Sequence, residues 1–172
     1  INFRAFEMND ISSISSRKNK MRVKLIADSG STNTEWRLLN GSKKMSISTQ
    51  GLSPYFMSVE QITQIIKREL CPGLDNAEPE EVFFYGTGCS HPENRKLVKK
   101  AIQSVFLKAT ISVNNDLLGA ARALGGHDKG VACILGTGSN SCYYNGTRII
   151  KNSPGLGYVL GDEGSGAWLG KK

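Results

Sequence analysis

The chain of 172 residues is long enough for one domain, or for one domain and part of another, and its 39% hydrophobic and 22% charged residues are typical of a globular protein. Its net charge of +7 lies at the two ends, because residues 1–24 hold six lysines and arginines against two acids and the last two residues are Lys171 and Lys172. Nucleic-acid-binding proteins carry such charge on a folded face, so this distribution argues against a nucleic-acid partner. No apolar stretch approaches 18 residues, which argues against a transmembrane helix and a membrane partner.

The cysteines do not indicate a metal centre. Cys71, Cys89, Cys133 and Cys142 form no CxxC pair, and with only two histidines the spacing of a zinc site is absent. Residues 1–20 are polar and aperiodic and lack the apolar stretch of a signal peptide. We therefore expect reduced thiols in a cytoplasmic protein, and a disordered or non-native N-terminal extension over residues 1–20.

Strand and helix patterns alternate after residue 21 and predict an α/β fold. Short apolar runs bounded by glycine, asparagine and proline indicate strands, and apolar residues at helical spacing indicate helices. In chain order the predicted elements are strands at 22–28, 34–40 and 43–50, a helix at 58–71 stopped by Pro72 and Gly73, a strand at 81–88, a helix at 93–108, a strand at 110–116 and a helix at 117–126.

The pattern then starts again. Residues 130–150 read as a strand, a Gly-Thr-Gly-Ser-Asn turn, a strand, an Asn-Gly turn and a strand, which is the plan of residues 22–48. We interpret residues 21–127 as a complete first lobe and residues 128–172 as the truncated beginning of a similar second lobe.

The first candidate site is the turn "DSGSTNT" at residues 28–34, which follows a largely buried strand. Its backbone N–H groups and hydroxyls are suited to phosphate oxygens, and Gly30 allows a ligand to approach closely. Asp28 at the strand end is suited to Mg²⁺, directly or through water. A plain hairpin turn explains this composition equally well, so the stretch alone leaves both interpretations open.

A second turn of this kind also follows a buried strand and consists of Gly136, Thr137, Gly138, Ser139 and Asn140. Glycines in such a place suit the close approach of a ligand. Alone the turn is a weak signal. Its matching place in the second lobe predicts that two phosphate-binding turns close on one nucleotide.

Asn115 and Asp116 end the predicted strand 110–116, and ligands of open α/β sheets bind outside the carboxyl ends of strands. A carboxylate there can accept a proton from a substrate hydroxyl. Asp116 also precedes a helical pattern and could simply cap that helix, which is the favoured interpretation on the residues alone.

Six glycines lie within residues 155–170, "GLGYVLGDEGSGAWLG", together with large apolar side chains and the acids Asp162 and Glu163. A flexible linker would not carry these apolar residues. The stretch predicts a shaped loop that runs into a helix N-terminus, where the acids cap the helix or bind sugar hydroxyls. The Walker pattern GxxxxGK[ST] is absent.

The turn at residues 28–34 resembles the DxGxTxT first phosphate motif of the actin/Hsp70/sugar-kinase superfamily. With "GTGSNS" at 136–141 and the stretch at 155–170, the chain from about residue 24 onward resembles the BadF/BadG/BcrA/BcrD ATPase family, and within it the N-acetylglucosamine kinase-like proteins. The resemblance implies a ribonuclease H-like lobe, with a mixed sheet flanked by helices, plus the start of a second similar lobe. It also implies an enzyme that uses ATP and Mg²⁺ to phosphorylate an amino sugar.

The resemblance assigns roles to single residues. Asp116 would be the catalytic base and would contact the sugar, while Asp28 would organise Mg²⁺. The residues that would bind the ATP phosphates are those of the two turns: Ser29, Gly30, Ser31, Thr32, Asn33, Thr34, Gly136, Thr137, Gly138, Ser139 and Asn140. The further sugar contacts would be Gly155, Leu156, Gly157 and Asp162.

The chain departs from the family pattern at Pro54 and Tyr55, since family sugar kinases often place an asparagine after "GLS" to hold the sugar. The identity of the sugar and the oligomeric state stay open, with a homodimer among the alternatives. Two alternatives to a kinase also stay open. One is an ATPase activator of a dehydratase or reductase, as other family members are, and the other is a non-catalytic nucleotide-binding fragment.

Overall fold

A computed structural model describes residues 22–171, so the extension predicted at residues 1–20 lies outside the described residues. Contacts divide the described chain into two compact units, residues 22–116 and residues 117–171. We expected the boundary after residue 127. Instead, the helix that follows Asp116 packs with the sheet of the second unit, which moves the boundary to the end of the preceding strand.

The first unit is built on a five-stranded mixed sheet in the order β3-β2-β1-β4-β5. Its strands are β1 (Lys24–Ser29), β2 (Asn33–Asn40), β3 (Lys43–Gln50), β4 (Glu81–Gly86) and β5 (Thr110–Asn115). Short turns make β1, β2 and β3 an antiparallel meander, whereas β1, β4 and β5 are parallel because longer helical connections join them. The carboxyl ends of the three parallel strands therefore lie at one edge of the sheet.

Two helices cover one face of this sheet, α1 (Val59–Ile65) and α2 (Pro92–Val105). Alternate residues of the central strands point to that face and are fully buried: Leu25, Ala27, Val82 and Phe84. With the inward residues of both helices they belong to a core of eighteen buried residues among those described. Burial of this apolar surface is the main term that stabilises the unit.

The helix predicted at residues 58–71 is present but ends differently. After α1 the chain continues as a π-helical turn over Ile66–Leu70 and a 3₁₀ turn over Cys71–Leu74. Pro72 and Gly73 were expected to stop the helix, but both lie inside the 3₁₀ turn. Proline is tolerated at the first positions of a helical turn because its missing N–H group has no partner there in any case.

The second predicted helix, α2, ends at Val105 and not at residue 108, because the chain leaves the helical conformation at Phe106. The side chain of Gln103 donates hydrogen bonds to the carbonyl oxygens of Phe106 and Leu107, each at 3.1 Å. These bonds fasten the turn after α2 to the last part of the helix. None of the helices formed by residues 22–171 is both long and apolar enough to cross a membrane.

The second unit is built on a three-stranded antiparallel sheet in the order β6-β7-β8. Its elements are α3 (Asp116–Gly125, of which Asp116 belongs to the first unit), β6 (Lys129–Leu135), β7 (Ser139–Asn145), β8 (Ile149–Pro154), α4 (Gly157–Leu160) and α5 (Gly166–Leu169). A small core joins α3 to one face of this sheet: Leu117, Ala121, Ala132, Cys142 and Tyr144. On the other face of β6, Val131 and Leu135 are exposed by 70% and 67%, so this face has no apolar layer over it among the described residues.

Candidate active site

Three parallel strands bring their carboxyl ends together at one edge of the first sheet. Ser29 of β1, Gly86 of β4 and Asn115 of β5 lie in one row, because Ser29 pairs with Gly86 and Gly86 pairs with Asn115. Neighbouring strands are about 4.8 Å apart, so the ends of β1 and β5 are separated by about 10 Å. Ligands of open α/β sheets bind at such an edge. The first predicted turn and Asp116 therefore lie on the same edge of one sheet.

The first turn has inner and outer hydroxyl groups. Ser29 and Thr34 are fully buried, and their hydroxyl oxygens are hydrogen-bonded at 2.8 Å. The Gly30 N–H donates to the carbonyl oxygen of Asn33 at 2.9 Å and closes the turn. The side chains exposed at the tip are those of three residues: Ser31, Thr32 and Asn33. The inner hydroxyls stabilise the turn, and the outer side chains are the ones that a ligand can reach.

The loop formed by residues 51–57 is fastened to this turn. The Gly51 N–H donates to the carbonyl oxygen of Thr32 at 2.8 Å. A side chain on Gly51 would collide with the backbone of Ser31 and Gly30, so this close approach requires glycine. The backbone of the loop at Gly51 therefore lies directly against the backbone of the first turn.

Two aromatic side chains are exposed at the tip of the 51–57 loop. Tyr55 is 56% exposed and Phe56 is 85% exposed, and their rings meet edge to face with centroids 6.4 Å apart. The Tyr55 ring lies over Gly88, where a Cβ atom would stand 2.8 Å from the ring. Gly88 has a φ of 84°, a conformation that favours glycine. The loop thus connects the first turn with the turn that follows β4.

Asp116 is held by a residue to which the sequence patterns assigned no role. Its carboxylate oxygen Oδ2 accepts a hydrogen bond from the hydroxyl of Thr87 at 2.8 Å. The backbone N–H of Thr87 donates to the carbonyl oxygen of Ser29 at 2.9 Å. A continuous chain of hydrogen bonds therefore runs from the end of β1 through Thr87 to the carboxylate of Asp116.

Cys89 lies in the same turn and is fully buried. Burial, followed by the negative charge of Asp116, raises the pKa of its thiol to about 12, although Arg95 acts in the opposite direction. The thiol therefore stays protonated at neutral pH, whereas a nucleophilic cysteine needs its thiolate. Cys89 belongs to the core of the unit and not to its chemistry.

Asp28, the predicted magnesium ligand, is half-buried. Its neighbour Ala27 points into the core beneath the helices, so the side chain of Asp28 lies on the opposite face of the sheet. It pairs across β1 and β2 with Glu35, so two carboxylates stand side by side on that face. Among residues 22–171 no group of three or more histidine, cysteine, aspartate or glutamate side chains could hold a metal by itself. Mg²⁺ is usually bound by one or two carboxylates together with substrate phosphates, so this pair fits an ion that arrives with a nucleotide.

In the second unit, the turn at residues 136–140 is tied to the glycine-rich stretch that follows it. The Gly136 N–H donates to the carbonyl oxygen of Gly138 at 2.9 Å, and the Gly166 N–H donates to the carbonyl oxygen of Gly136 at 2.8 Å. The Oδ1 atom of Asn140 is buried and has no hydrogen-bond partner among the described residues. Because an unpaired buried polar atom is costly, this atom is a candidate for a ligand contact.

Asp162 lies against the same turn. Its Oδ1 atom accepts a hydrogen bond from the Gly157 N–H at 3.1 Å, and a Cβ atom on Gly138 would stand 3.1 Å from its Oδ2 atom. A side chain on Gly155 would collide with the same carboxylate, while Leu156 is 68% exposed. Asp162 itself has a φ of 66°, which is uncommon for a residue with a side chain. The second unit therefore brings the turn at residues 136–140 and the stretch at residues 155–170 together around the carboxylate of Asp162.

Sequence reasoning missed Thr87 and Gly51. Gly86-Thr87-Gly88 has the same residues as Gly136-Thr137-Gly138. The first triplet begins at the last residue of β4 and the second directly after β6, so a signal for Thr87 was present in the sequence. Gly51 had no such signal, because its role depends on a close approach between two segments that only the fold reveals.

The chain is similar to solved structures over most of its length. At 42% identity and a TM-score of 0.80, 86% of this chain aligns with 53% of a protein from Porphyromonas gingivalis named as a candidate N-acetylglucosamine kinase. A protein of the same description from Chromobacterium violaceum shares 24% identity with a TM-score of 0.65, over 89% of this chain and 55% of that one. The ethanolamine utilization protein EutJ from Carboxydothermus hydrogenoformans shares the fold alone. Its identity is 13% and its TM-score is 0.58, over 91% of this chain and 64% of that one. The chain spans about half the length of the first two proteins.

The likenesses confirm the predicted fold class, an α/β ribonuclease H-like lobe followed by the start of a second one. No curated protein matches the chain. The family model of the BadF/BadG/BcrA/BcrD ATPases matches residues 27–172, which is most of the sequence. The chain belongs to the BadF/BadG/BcrA/BcrD ATPase family.

Proposed function

We propose that the whole protein transfers the γ-phosphoryl group of ATP to a hydroxyl of an amino sugar, of which N-acetylglucosamine is the first to test. The observation that carries the proposal is the edge of the first sheet. An exposed turn of the phosphate-binding type follows β1 there, Asp116 follows β5, and the ends of these two strands are about 10 Å apart. Family membership and the 42% identity to a candidate N-acetylglucosamine kinase support it. Phosphoryl transfer needs positioning and charge stabilisation more than covalent chemistry, so these groups suffice.

The donor phosphates are proposed to bind at the two turns. In the first turn the exposed tip presents Ser31, Thr32 and Asn33 with their backbone N–H groups, while Ser29 and Thr34 hold the turn from within. In the second turn the exposed residues Gly136, Thr137 and Gly138 take the same role. The unpaired Oδ1 atom of Asn140 is an acceptor and is suited to a ligand hydroxyl.

Asp116 is proposed as the general base. The acceptor hydroxyl oxygen forms a bond to the γ-phosphorus, and the bond between that phosphorus and the β–γ bridging oxygen breaks. ADP leaves with the bridging oxygen and its electron pair, while Asp116 takes the proton of the hydroxyl. The capping interpretation is compatible with this role, because Asp116 is also the first residue of α3.

Asp28 is proposed to hold the Mg²⁺ of the nucleotide, directly or through water, with Glu35 beside it. The bound ion would neutralise part of the phosphate charge. The carboxylates of Asp28 and Glu35 face one side of the sheet. Asp28 lies one residue before the end of β1, and Glu35 lies two residues after the start of β2, so both are close to the first turn. The turn and the proposed metal ligands are therefore parts of one hairpin.

The acceptor sugar is proposed to lie beside the 51–57 loop. Tyr55 and Phe56 present exposed rings next to the turn that carries Thr87, and aromatic side chains commonly line ligand sites while a few polar groups fix orientation. In the second unit the proposed sugar contacts are Gly155, Leu156, Gly157 and Asp162. The carboxylate of Asp162 is suited to accept hydrogen bonds from sugar hydroxyls.

The test is the release of ADP from ATP by the protein at its full natural length, with N-acetylglucosamine, related amino sugars or no sugar. Acceptor-dependent ADP release together with the phosphorylated sugar supports the kinase. ADP release that is indifferent to every sugar contradicts it and favours the activator ATPase.

The variant Asp116→Asn tests the role of the carboxylate. It is expected to lower the turnover number by about 10²- to 10⁴-fold, the usual contribution of general base catalysis, while nucleotide affinity stays within about twofold. Asp75→Asn is the matched control in the same unit, because Asp75 is exposed and its carboxylate pairs with Lys43 at the surface. Equal turnover by Asp116→Asn and wild type would show that Asp116 is not the base.

A further inference from the structure

Thr87 lies at the end of the middle one of the three parallel strands of the first sheet. It follows β4 directly, and β4 lies between β1 and β5 in the sheet. Its backbone is bonded to the end of β1, and its hydroxyl is bonded to the residue that follows β5. One residue therefore links both neighbouring strand ends.

The turn that carries Thr87 is held firmly from several sides. The Cys89 N–H donates to the carbonyl oxygen of Gly86 at 3.1 Å and closes the turn. The side chain of Asn94 donates to the carbonyl oxygen of Gly88 at 2.8 Å, and Arg95 donates to the carbonyl oxygen of Cys89 at 3.0 Å. Both donors belong to α2, so the turn is fixed by an element of the core. The backbone of Thr87 is consequently placed before any ligand arrives.

The side chain of Thr87 adds a directional constraint on Asp116. A β-branched side chain is restricted at χ1, so the Thr87 hydroxyl has few directions available, and the bond to Asp116 selects one of them. The hydroxyl–carboxylate bond of 2.8 Å is charge-assisted and therefore stronger than a bond between neutral groups. A carboxylate held by such a bond loses rotational freedom and keeps one orientation at the sheet edge.

We infer that Thr87 is the positioning residue of Asp116, because its hydroxyl fixes the orientation in which the carboxylate faces the acceptor hydroxyl. The inference rests on the proposed role of Asp116 as the base. Misplacement of a catalytic group by about 1 Å can cost about 100-fold in rate. Thr87 acts through Asp116 and has no required contact with substrate.

The first experiment compares Thr87→Val, Thr87→Ser and wild type at full natural length in the sugar-dependent ADP assay. Thr87→Val keeps the shape and removes the hydroxyl, and its turnover number is expected to fall about 10- to 100-fold while the Michaelis constants change less than about threefold. Thr87→Ser keeps the donor and is expected to recover turnover to within about fivefold of wild type. Thr63→Val is the matched control, because the Thr63 hydroxyl also forms hydrogen bonds, but with Val59 of α1 and with Ala101 and Ser104 of α2 instead of Asp116.

A double-mutant cycle separates positioning from a direct contact. If Thr87 acts through the carboxylate, Thr87→Val in an Asp116→Asn background lowers the remaining turnover less than twofold. A loss as large as in the wild-type background would overturn the inference, since Thr87 would then act independently of Asp116. Wild-type turnover by Thr87→Val would overturn it as well, while the kinase proposal would survive.

A second readout does not depend on turnover. The carboxyl-carbon NMR signal of Asp116, assigned by its disappearance in Asp116→Asn, is expected to shift in Thr87→Val and to stay in place in Thr63→Val. An unmoved signal in Thr87→Val would contradict the positioning role. An inactive wild type would refute the proposed function, and the shift would then still decide whether Thr87 orients the carboxylate.

Discussion

In the first unit, two helices close the sheet over a core of eighteen buried residues, whereas the sheet of the second unit shares a core of five with a single helix among residues 117–171. The same difference is found in the two turns that follow the plan of strand, hydroxyl-rich turn and strand. Both turns have exposed tips, but the first has the buried hydroxyl pair of Ser29 and Thr34 beneath its tip. In the second, the carbonyl oxygen of Gly136 accepts a hydrogen bond from the Gly166 N–H. A similar order of elements therefore produces two turns that are supported differently, one by a core and one mainly by the glycine-rich stretch beside it.

The largest effect on stability is expected from the core of the first unit. Phe84→Ala should lower the free energy of unfolding by about 3–5 kcal/mol, because Phe84 is fully buried and packs against the Trp36 ring. Urea denaturation followed by tryptophan fluorescence measures the change. Phe56→Ala, at a position 85% exposed, should change it by less than about 0.5 kcal/mol. Equal losses in both variants would contradict the picture of a closed core.

A smaller effect is expected at the first turn. Ser29→Ala removes the partner of the Thr34 hydroxyl and the acceptor of the Leu52 N–H, so the free energy of unfolding should fall by about 1–3 kcal/mol. The corresponding change in the second turn, Ser139→Ala, should cost less than about 0.5 kcal/mol, since the Ser139 hydroxyl has no hydrogen bond to the described residues. Similar costs at both positions would remove the distinction between the two turns. The same urea titration provides both values.

The smallest effect is expected in the core of the second unit. The Tyr144 hydroxyl donates to the carbonyl oxygen of Gly126 at 3.0 Å, and Tyr144→Phe should cost about 1 kcal/mol by removing this bond. Amide hydrogen exchange of β7 measures the change locally. Its neighbour Tyr143 is 42% exposed, so Tyr143→Phe should leave the exchange unchanged. A loss of several kcal/mol for Tyr144→Phe would show that the small core is more cooperative than its size suggests.

The strands could be predicted from the sequence because their signals are local. The boundaries of β3 at residues 43–50 match the prediction. The Asn40-Gly41 turn marks where the strand can begin, and the alternating residues show how far it continues. The end of the first helix could not be predicted in this way, because proline at the start of a 3₁₀ turn is as acceptable as proline after a helix. The helix predicted at residues 117–126 is present as α3, but the unit to which it belongs could not be predicted, since its apolar face fits either sheet until the packing is known.

The candidate site was predicted more completely in its residues than in their roles. Asp28, Asp116 and Asp162 were each proposed because an acid stands at a strand end or among glycines, and their roles stay predictions. That Ser29 and Thr34 pair with each other depends on the register of β1 and β2, which the composition of the turn does not contain. The Gly-Thr-Gly triplet marks Thr87 in the sequence, but its contact with Asp116, 29 positions further on, cannot be predicted from a single sequence.

The buried thiol of Cys89 can report local opening of the first unit. An alkylating reagent attacks only the thiolate of a solvent-accessible cysteine, and this side chain has no exposed surface and a pKa raised to about 12 by burial. Its labelling must therefore wait for a fluctuation that opens the turn after β4, so the labelling rate measures how often the neighbourhood of Asp116 opens. Cys133, which is exposed on β6, reacts in the same tube without such an opening and supplies the reference rate. Mass spectrometry of the two alkylated peptides would then measure how often the turn after β4 opens, without a substrate and without a substitution.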